Sequence, residues 1–192
     1  MSKKITVTLV PDASQVQQLF DTMYRYHELC NYISHIIFQR GCSRPINLYY
    51  WEDDRNYKNL YYQVRGIFLD INSNMITIAF RKVAKAYSQT KPTEALQFNG
   101  DVDFSSYTVS LISISPPPIN YGMLTISTLA GRQKMHFTFD DNQREKLHIA
   151  LSLKRYCEYK LSFYEGAFYL RRNLSDSKIK AYSTLKNHMI SV

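Results

Sequence analysis

The chain has 192 residues, an apolar fraction of 45% and a formal charge of +8 at pH 7. That length and composition suit one domain, or two small ones sharing a sheet, and argue against general disorder. No apolar run reaches membrane-spanning length and no signal peptide opens the chain. The basic excess therefore favours a polyanionic partner, nucleic acid before an anionic membrane, the alternative being a merely basic soluble protein.

In chain order, Ile5, Val7 and Leu9 alternate with Thr6 and Thr8, the period-two pattern of a half-buried strand. Val10-Pro11 ends it, because proline has no N–H for a ladder and disfavours helix in the residue before it. Asp12 with Gln15 reads as a helix N-cap and its capping-box partner. Val16, Leu19, Phe20, Met23, His27, Cys30, Ile33 and Ile37 then form one stripe down a helix of about seven turns. Residues 41–45 break this helix, 46–51 are aromatic-rich, and Glu52, Asp53 and Asp54 supply acidic residues where a second helix can begin. Its face is Tyr57, Leu60, Tyr61, Val64 and Phe68, with Gly66 weakening it near the end. Asp70 or Asn72 caps a third helix that runs to about Tyr87 and buries Ile71, Met75, Ile78, Ala79, Val83 and Ala86. Away from that stripe, Ser73, Thr77, Arg81 and Lys85 step by four into a polar row ending in two cations. The row reads either as a solvated helix face or as a surface lying along a nucleic-acid groove.

After Pro92 the pattern turns to strands, over 96–98, 107–114, 123–127 and 134–139. Ser115 and the three prolines behind it form a stiff, polyproline-like connection that cannot be a central strand. Asp140, Asp141 and Asn142 read as a turn, since adjacent acidic residues between strands form turns far more often than they catalyse. Residues 156–174 are the clearest hairpin, two alternating runs around a turn at 164–167 that contains Gly166. In 175–192, Ile179, Tyr182, Leu185 and Met189 repeat beside Lys178, Lys180 and Lys186, either a short basic amphipathic helix or a frayed end. Basic residues outnumber acidic ones twelve to seven over 1–91, nine to eight over 92–174 and three to one over 175–192, so the excess lies on the helical half and the tail. Cys30, Cys42 and Cys157 are widely spaced with no CxxC pair, which argues against a disulfide framework or a zinc ribbon and fits a reducing cytoplasm. Sixteen tyrosines stand against one tryptophan; each offers an apolar body and a polar tip, suited to bases, sugars or a partner, or simply to filling strands.

Three of these segments resemble transposon-encoded TnpB proteins and their type V CRISPR relatives. In the first, Pro11 closes the opening strand, and Gln15 or Gln17, Leu19 and Asn31 follow in the helix. In the second, over 75–87, Val83, Ala86 and Tyr87 fill the places of a Leu-x-x-Ala-Phe/Tyr signature. In the third, Gly166-Ala167-Phe168-Tyr169 stands where the family closes its barrel with Gly-x-Trp/Tyr-Tyr. The resemblance spans about residues 3–174 in the right order. It implies an α+β fold: a small antiparallel β-barrel (an OB-like wedge domain) with a helical recognition lobe inserted after the first strand. The chain then divides into the first barrel strand (1–10), the helical recognition lobe (11–91), the remainder of the barrel (92–174) and a basic C-terminal tail (175–192). The implied partners are a structured guide RNA and target DNA, in a prokaryotic cytoplasm. Carried over to this sequence, the DNA-reading positions fall at Ser73 and Thr77, with Tyr50 from the preceding segment and Arg81 and Lys85 continuing the row. Ser and Thr are shorter than the Lys and Gln expected there, so motif reading differs or is absent. The barrel would grip RNA backbone through Lys3, Lys4, Lys134, Lys160, Arg171 and Arg172, with Tyr159, Phe168 and Tyr169 for base stacking.

In that family, DNA is cut by a RuvC domain that follows the barrel and holds divalent metal on three carboxylates. Here no Asp-x-Gly strand is present and 175–192 contains a single acidic residue, Asp176. No catalytic residue, metal ligand or cofactor is therefore assigned, and the chain is expected not to cleave DNA by itself. His27 and His35 lie eight apart on one helix without an evident third ligand. No P-loop, Gly-x-Ser-x-Gly or dinucleotide fingerprint occurs. The resulting reading is an RNA-guided DNA-binding module without its nuclease. A separate RuvC-containing chain would make it one subunit of a split nuclease; with none, it is an RNA-guided binder or repressor. The competing readings are a stand-alone basic RNA- or single-stranded-DNA-binding barrel, and an interaction protein that docks through its Tyr-rich surface and tail.

Overall fold

The computed structural model describes residues 3–39, 55–90, 92–152 and 158–174. Its elements are β1 (Lys3–Val10), α1 (Ala13–Gln39), α2 (Arg55–Ile67), α3 (Ser73–Gln89), β2 (Val102–Ser105), β3 (Val109–Ile114), β4 (Tyr121–Thr128), β5 (Gly131–Thr138), a 3-10 turn (Asp141–Gln143), α4 (Arg144–Ser152), β6 (Glu158–Tyr164) and β7 (Ala167–Leu174). The fold is α+β, as expected. It comprises a sheet unit (Met1–Asp12, Phe104–Ile126 and Arg132–Val192) and a helical unit (Ala13–Asp103 with Ser127–Gly131).

The strands form one sheet in the order β2-β6-β7-β1-β5-β4-β3. Each pair with a described register runs antiparallel. β1 lies inside this order although three helices separate it from the other strands. Lys3 to Thr8 pair with Leu174 to Tyr169 of β7, and Thr8 to Val10 pair with Thr138 to His136 of β5. Where β5 runs out, the Thr6 N–H donates instead to Gln143 Oε1 at 3.1 Å, so the strand's exposed edge is satisfied by the 3-10 turn. The alternation read from sequence holds: Ile5, Val7 and Leu9 are buried and Thr6 and Thr8 are half-buried.

The closed barrel is corrected to an open sheet, whose edges are β2 and β3. β2 has only four residues, and β3 shifts register between Leu111 and Ser113. Short and bulged strands are poor partners for ladder closure. The polyproline-like connection is likewise a turn, in which Ile119 N–H donates to Pro116 O at 3.1 Å and Ser115 N–H to Tyr121 O at 2.8 Å. Arg144 at the start of α4 holds it, donating to Ser115 O (2.7 Å), Ile119 O (3.1 Å) and Asn120 Oδ1. α4 itself falls where the sequence suggested no element; it buries Leu147, Ile149 and Ala150. The hairpin expected over 156–174 forms from Glu158, turning at Glu165 (φ 50°) and Gly166 (φ 77°), the left-handed pair that two-residue hairpin loops require.

In the helical unit, α1 buries Leu19, Thr22, Tyr26, Leu29, Cys30, Ile33, Ser34 and Ile37. The face is rotated from the expected stripe, leaving Phe20 37% exposed and Met23 and His27 half-buried. Asn72 is the cap of α3, its side chain accepting from Asn74 N–H at 2.9 Å, while Asp70 pairs with Arg25 of α1 at 2.9 Å. α3 buries Ile76, Phe80, Ala84 and Tyr87 beside the predicted Met75, Ala79 and Val83, so its apolar face is wider than one stripe. Residues 96–98 are not a strand, because helix side chains take their backbone groups: Asn31 bonds both the N–H (2.6 Å) and the carbonyl (3.3 Å) of Phe98. Ser34 Oγ donates to Leu96 O at 2.7 Å, and Leu96 N–H donates to Tyr87 Oη at 3.3 Å. Nearby, Lys82 pairs with Asp103 at 3.2 Å, and His27 Nε2 lies 2.7 Å from the Gly100 carbonyl, to which it must donate.

Gly122 is buried on β4, where an added Cβ would meet the Phe137 ring, with Cε1 at 2.8 Å. Gly122→Val should therefore lower stability by about 1–3 kcal/mol, read as a lower urea midpoint at unchanged m. The His27 pKa is lowered by burial, and the Lys82 charge adds to that against the Gly100 bond. As pH falls through the ordinary histidine range the unfolded chain protonates first, so stability present above about pH 6.5 is lost below it. His27→Gln, which keeps a donor for Gly100, should show a smaller fall in melting temperature between pH 7.5 and 5.5 than the wild type.

Candidate nucleic-acid interface

On α3, Ser73, Arg81 and Lys85 are exposed and Thr77 is half-buried, so the polar row exists as a surface feature of the helical unit. Thr77 Oγ1 donates back to the Ser73 carbonyl at 3.1 Å, as threonines within helices often do. The row is therefore two short polar groups followed by two long cations. Lys82, one residue beyond Arg81, belongs instead to the interior side, donating to the Asp101 carbonyl and lying 5.5 Å from the Tyr26 ring.

The sheet unit carries a second surface. Period two along each strand separates an inner face (Ile5, Val7, Leu9, Met135, Phe137, Leu161, Leu170) from an outer face. Register then builds rows across the outer face: Lys160 opposite Arg171 opposite Thr6, and Ser162 opposite Tyr169 opposite Thr8 opposite Thr138. Lys4, Lys134 and Lys160 are exposed, and Arg171 is half-buried with Nη2 at 3.2 Å from Ser162 Oγ. Tyr169 stacks on Tyr164, ring centroids 4.0 Å apart and planes within 16°. Further along the same face, Tyr121 stacks on His136 at 4.9 Å and 24°. Tyr164 and His136 were not singled out from sequence. Their place two and four residues from other outer-face positions is the signal that finds them.

Three of the expected RNA contacts lie on the inner face and are corrected. Tyr159, Phe168 and Arg172 are 4%, 2% and 3% exposed, so neither ring can receive a base and the guanidinium cannot meet a phosphate. Arg172 Nη1 donates to Ala150 O at 2.9 Å and to Tyr159 Oη at 3.2 Å, and its guanidinium lies 5.4 Å from the Tyr159 ring. A buried charge persists only with such partners. Phe168 packs on Phe163 at 4.8 Å. Tyr50, the side chain of Lys3 and the tail over 175–192 lie outside the described residues.

His27 is engaged with Gly100 and His35 with Gln39 at 2.6 Å, so the two helix histidines serve local bonds. Among the described residues no group of three or more His, Cys, Asp or Glu could hold a metal ion, and no helix is long and apolar enough to cross a membrane. Asp141 of the acidic pair sits 3.2 Å from Arg144 and orders the turn. Burial pushes the Cys30 thiol up to about 12, which leaves it inert at neutral pH. Compared with known proteins, the chain matches no protein-family model and no curated protein sequence.

Removing Arg172 takes a charged donor from the buried Ala150 carbonyl and Tyr159 hydroxyl. Arg172→Ala should cost about 3 kcal/mol. Lys160→Ala, on the outer face, should stay within about 0.5 kcal/mol, both read by urea denaturation.

Proposed function

We propose that this chain is the nucleic-acid-recognition part of an RNA-guided DNA-binding protein of the TnpB and type V kind. The sheet unit binds guide RNA on its outer face, and α3 lies against duplex DNA through Ser73, Thr77, Arg81 and Lys85. One observation carries the reading: β1 pairs between β7 and β5 while Ala13–Gln89 intervenes in sequence, so a helical segment is inserted into a β-unit directly after its first strand. That is the organisation the resemblance implies, and the basic balance of the chain suits a polyanion. In such a protein most sequence information is carried by RNA–DNA pairing, and the protein contributes backbone grip and a short duplex contact. Cleavage, where it occurs, is the work of RuvC carboxylates supplied by a further domain or chain.

The test is to purify the protein from its native context and sequence the RNA and protein that accompany it. One defined structured RNA supports the reading, and a co-purifying RuvC-containing chain extends it to a split nuclease. Heterogeneous RNA stripped by salt would replace it with a plain basic RNA-binding protein; no nucleic acid would remove it. With the RNA in hand, Arg81→Ala with Lys85→Ala should lower the salt slope of duplex binding by about 1.8, the loss of two phosphate contacts. An unchanged slope would sink the assignment of α3 to DNA.

A further inference from the structure

The outer face of the hairpin β6–β7 carries a stacked pair of aromatic rings beside its turn. Tyr164, at the end of β6, is 45% exposed, yet its ring is held against that of Tyr169 at 4.0 Å and 16°. On the inner face Phe163 and Phe168 are instead tilted, at 52°. In this near-parallel pair Tyr164 is exposed and Tyr169 half-buried, so the pair presents flat ring surface near the turn. Both tyrosines sit on the β6–β7 ladder inside the sheet, beside a turn fixed by Glu165 and Gly166, so the rings are ordered before any ligand arrives. One row away across the ladder, Lys160 stands opposite Arg171, with Ser162 and Tyr169 between that row and the tip. Lys4 is exposed on the same face of β1. These three cations outnumber the two acidic side chains nearby, Glu158 at the start of β6 and Glu165 in the turn.

Lys160 and Arg171 are directly opposite on adjacent strands, roughly 5 Å apart at Cβ, and lie two residues, about 7 Å, along those strands from Ser162 and Tyr169. We infer that Tyr164 and Tyr169 form a stacking platform for an unpaired base of single-stranded RNA, whose adjoining phosphates lie on Lys160 and Arg171. A duplex cannot use it, because its bases are already stacked on each other; an unpaired loop or end of the guide can. The inference rests on the proposed RNA-binding function and names the part of the RNA and the residues that receive it.

The experiment measures binding of a fluorescein-labelled fifteen-residue oligouridylate, and of an abasic strand of the same length, to the full chain by anisotropy. The wild type should bind the oligouridylate about tenfold more tightly than the abasic strand. Tyr164→Leu with Tyr169→Leu should remove that difference and leave the salt slope unchanged, whereas the double Phe variant, which keeps both rings, should retain it. Lys160→Gln with Arg171→Gln should instead lower the slope by about 1.4. Photocrosslinking of wild-type protein to 4-thiouridine-substituted RNA, mapped by mass spectrometry, should label Tyr164 or Tyr169, which tests the site even where a leucine variant fails to fold. Tight oligouridylate binding that the leucine variants share, with crosslinks elsewhere, would overturn the platform and leave RNA binding standing. No binding of either strand, together with no RNA from the native source, would overturn both.

Discussion

The structure depends on the two ladders of β1. A strand at the start of the chain is committed to partners that follow more than ninety residues of helix and loop, and it forms hydrogen bonds on both sides. Without it, β7 and β5 would each expose an edge in the middle of the sheet. Its apolar residues, Ile5, Val7 and Leu9, are all under 5% exposed, so burial and pairing favour the same register. The entropy of closing so long a loop is a cost that these ladders must offset and a local hairpin does not bear. The same arrangement lets the intervening helices form their own core without interrupting the sheet.

Within the helical unit, polar side chains on α1 and α3 do what a ladder does elsewhere. Asn31, Ser34 and Tyr87 satisfy the backbone groups of Leu96 and Phe98. His27 and Lys82 do the same for Gly100 and Asp101. Where an irregular segment packs on helices, the N–H and C=O groups shielded from water need partners, and a helix face is a regular source of donors and acceptors. Arg144 has the equivalent role for the proline-rich turn of the sheet unit. These residues look chemically versatile in sequence, and their chemistry is spent on holding backbone.

The sheet divides its polar and aromatic residues between a buried inner face and a more exposed outer one. Arg172 and Tyr159 are joined on the inner face, where the guanidinium donates to the hydroxyl. Lys160, Arg171, Tyr164 and Tyr169 occupy the outer face, where Arg171 bonds Ser162 and the two tyrosines stack. Neighbours in sequence thus have opposite duties: Arg171 and Arg172 differ by one residue and by the whole thickness of the sheet.

Much of the architecture was legible in the chain itself. The alternation at Ile5, Val7 and Leu9, the Asn72 cap and the glycine turn at 165–166 are local signals, each set by backbone geometry within a few residues. The polar row of α3 was legible for the same reason. The face buried by α1 was not, since Tyr26, Thr22 and Ser34 are interior only because Ser34 meets Tyr87 and Thr22 meets Leu129 across the helical unit. Residues 96–98 read as a strand until partners more than sixty residues away took their hydrogen bonds. The inward turn of Arg172 was half legible, as period two puts it with Phe168 and Leu170, but a cation is read as exposed until its acceptors are known. Whether the sheet closes was not legible at all. Strand pattern states which residues share a face; which strands meet, and so which face a ligand can reach, is decided by pairing between distant segments.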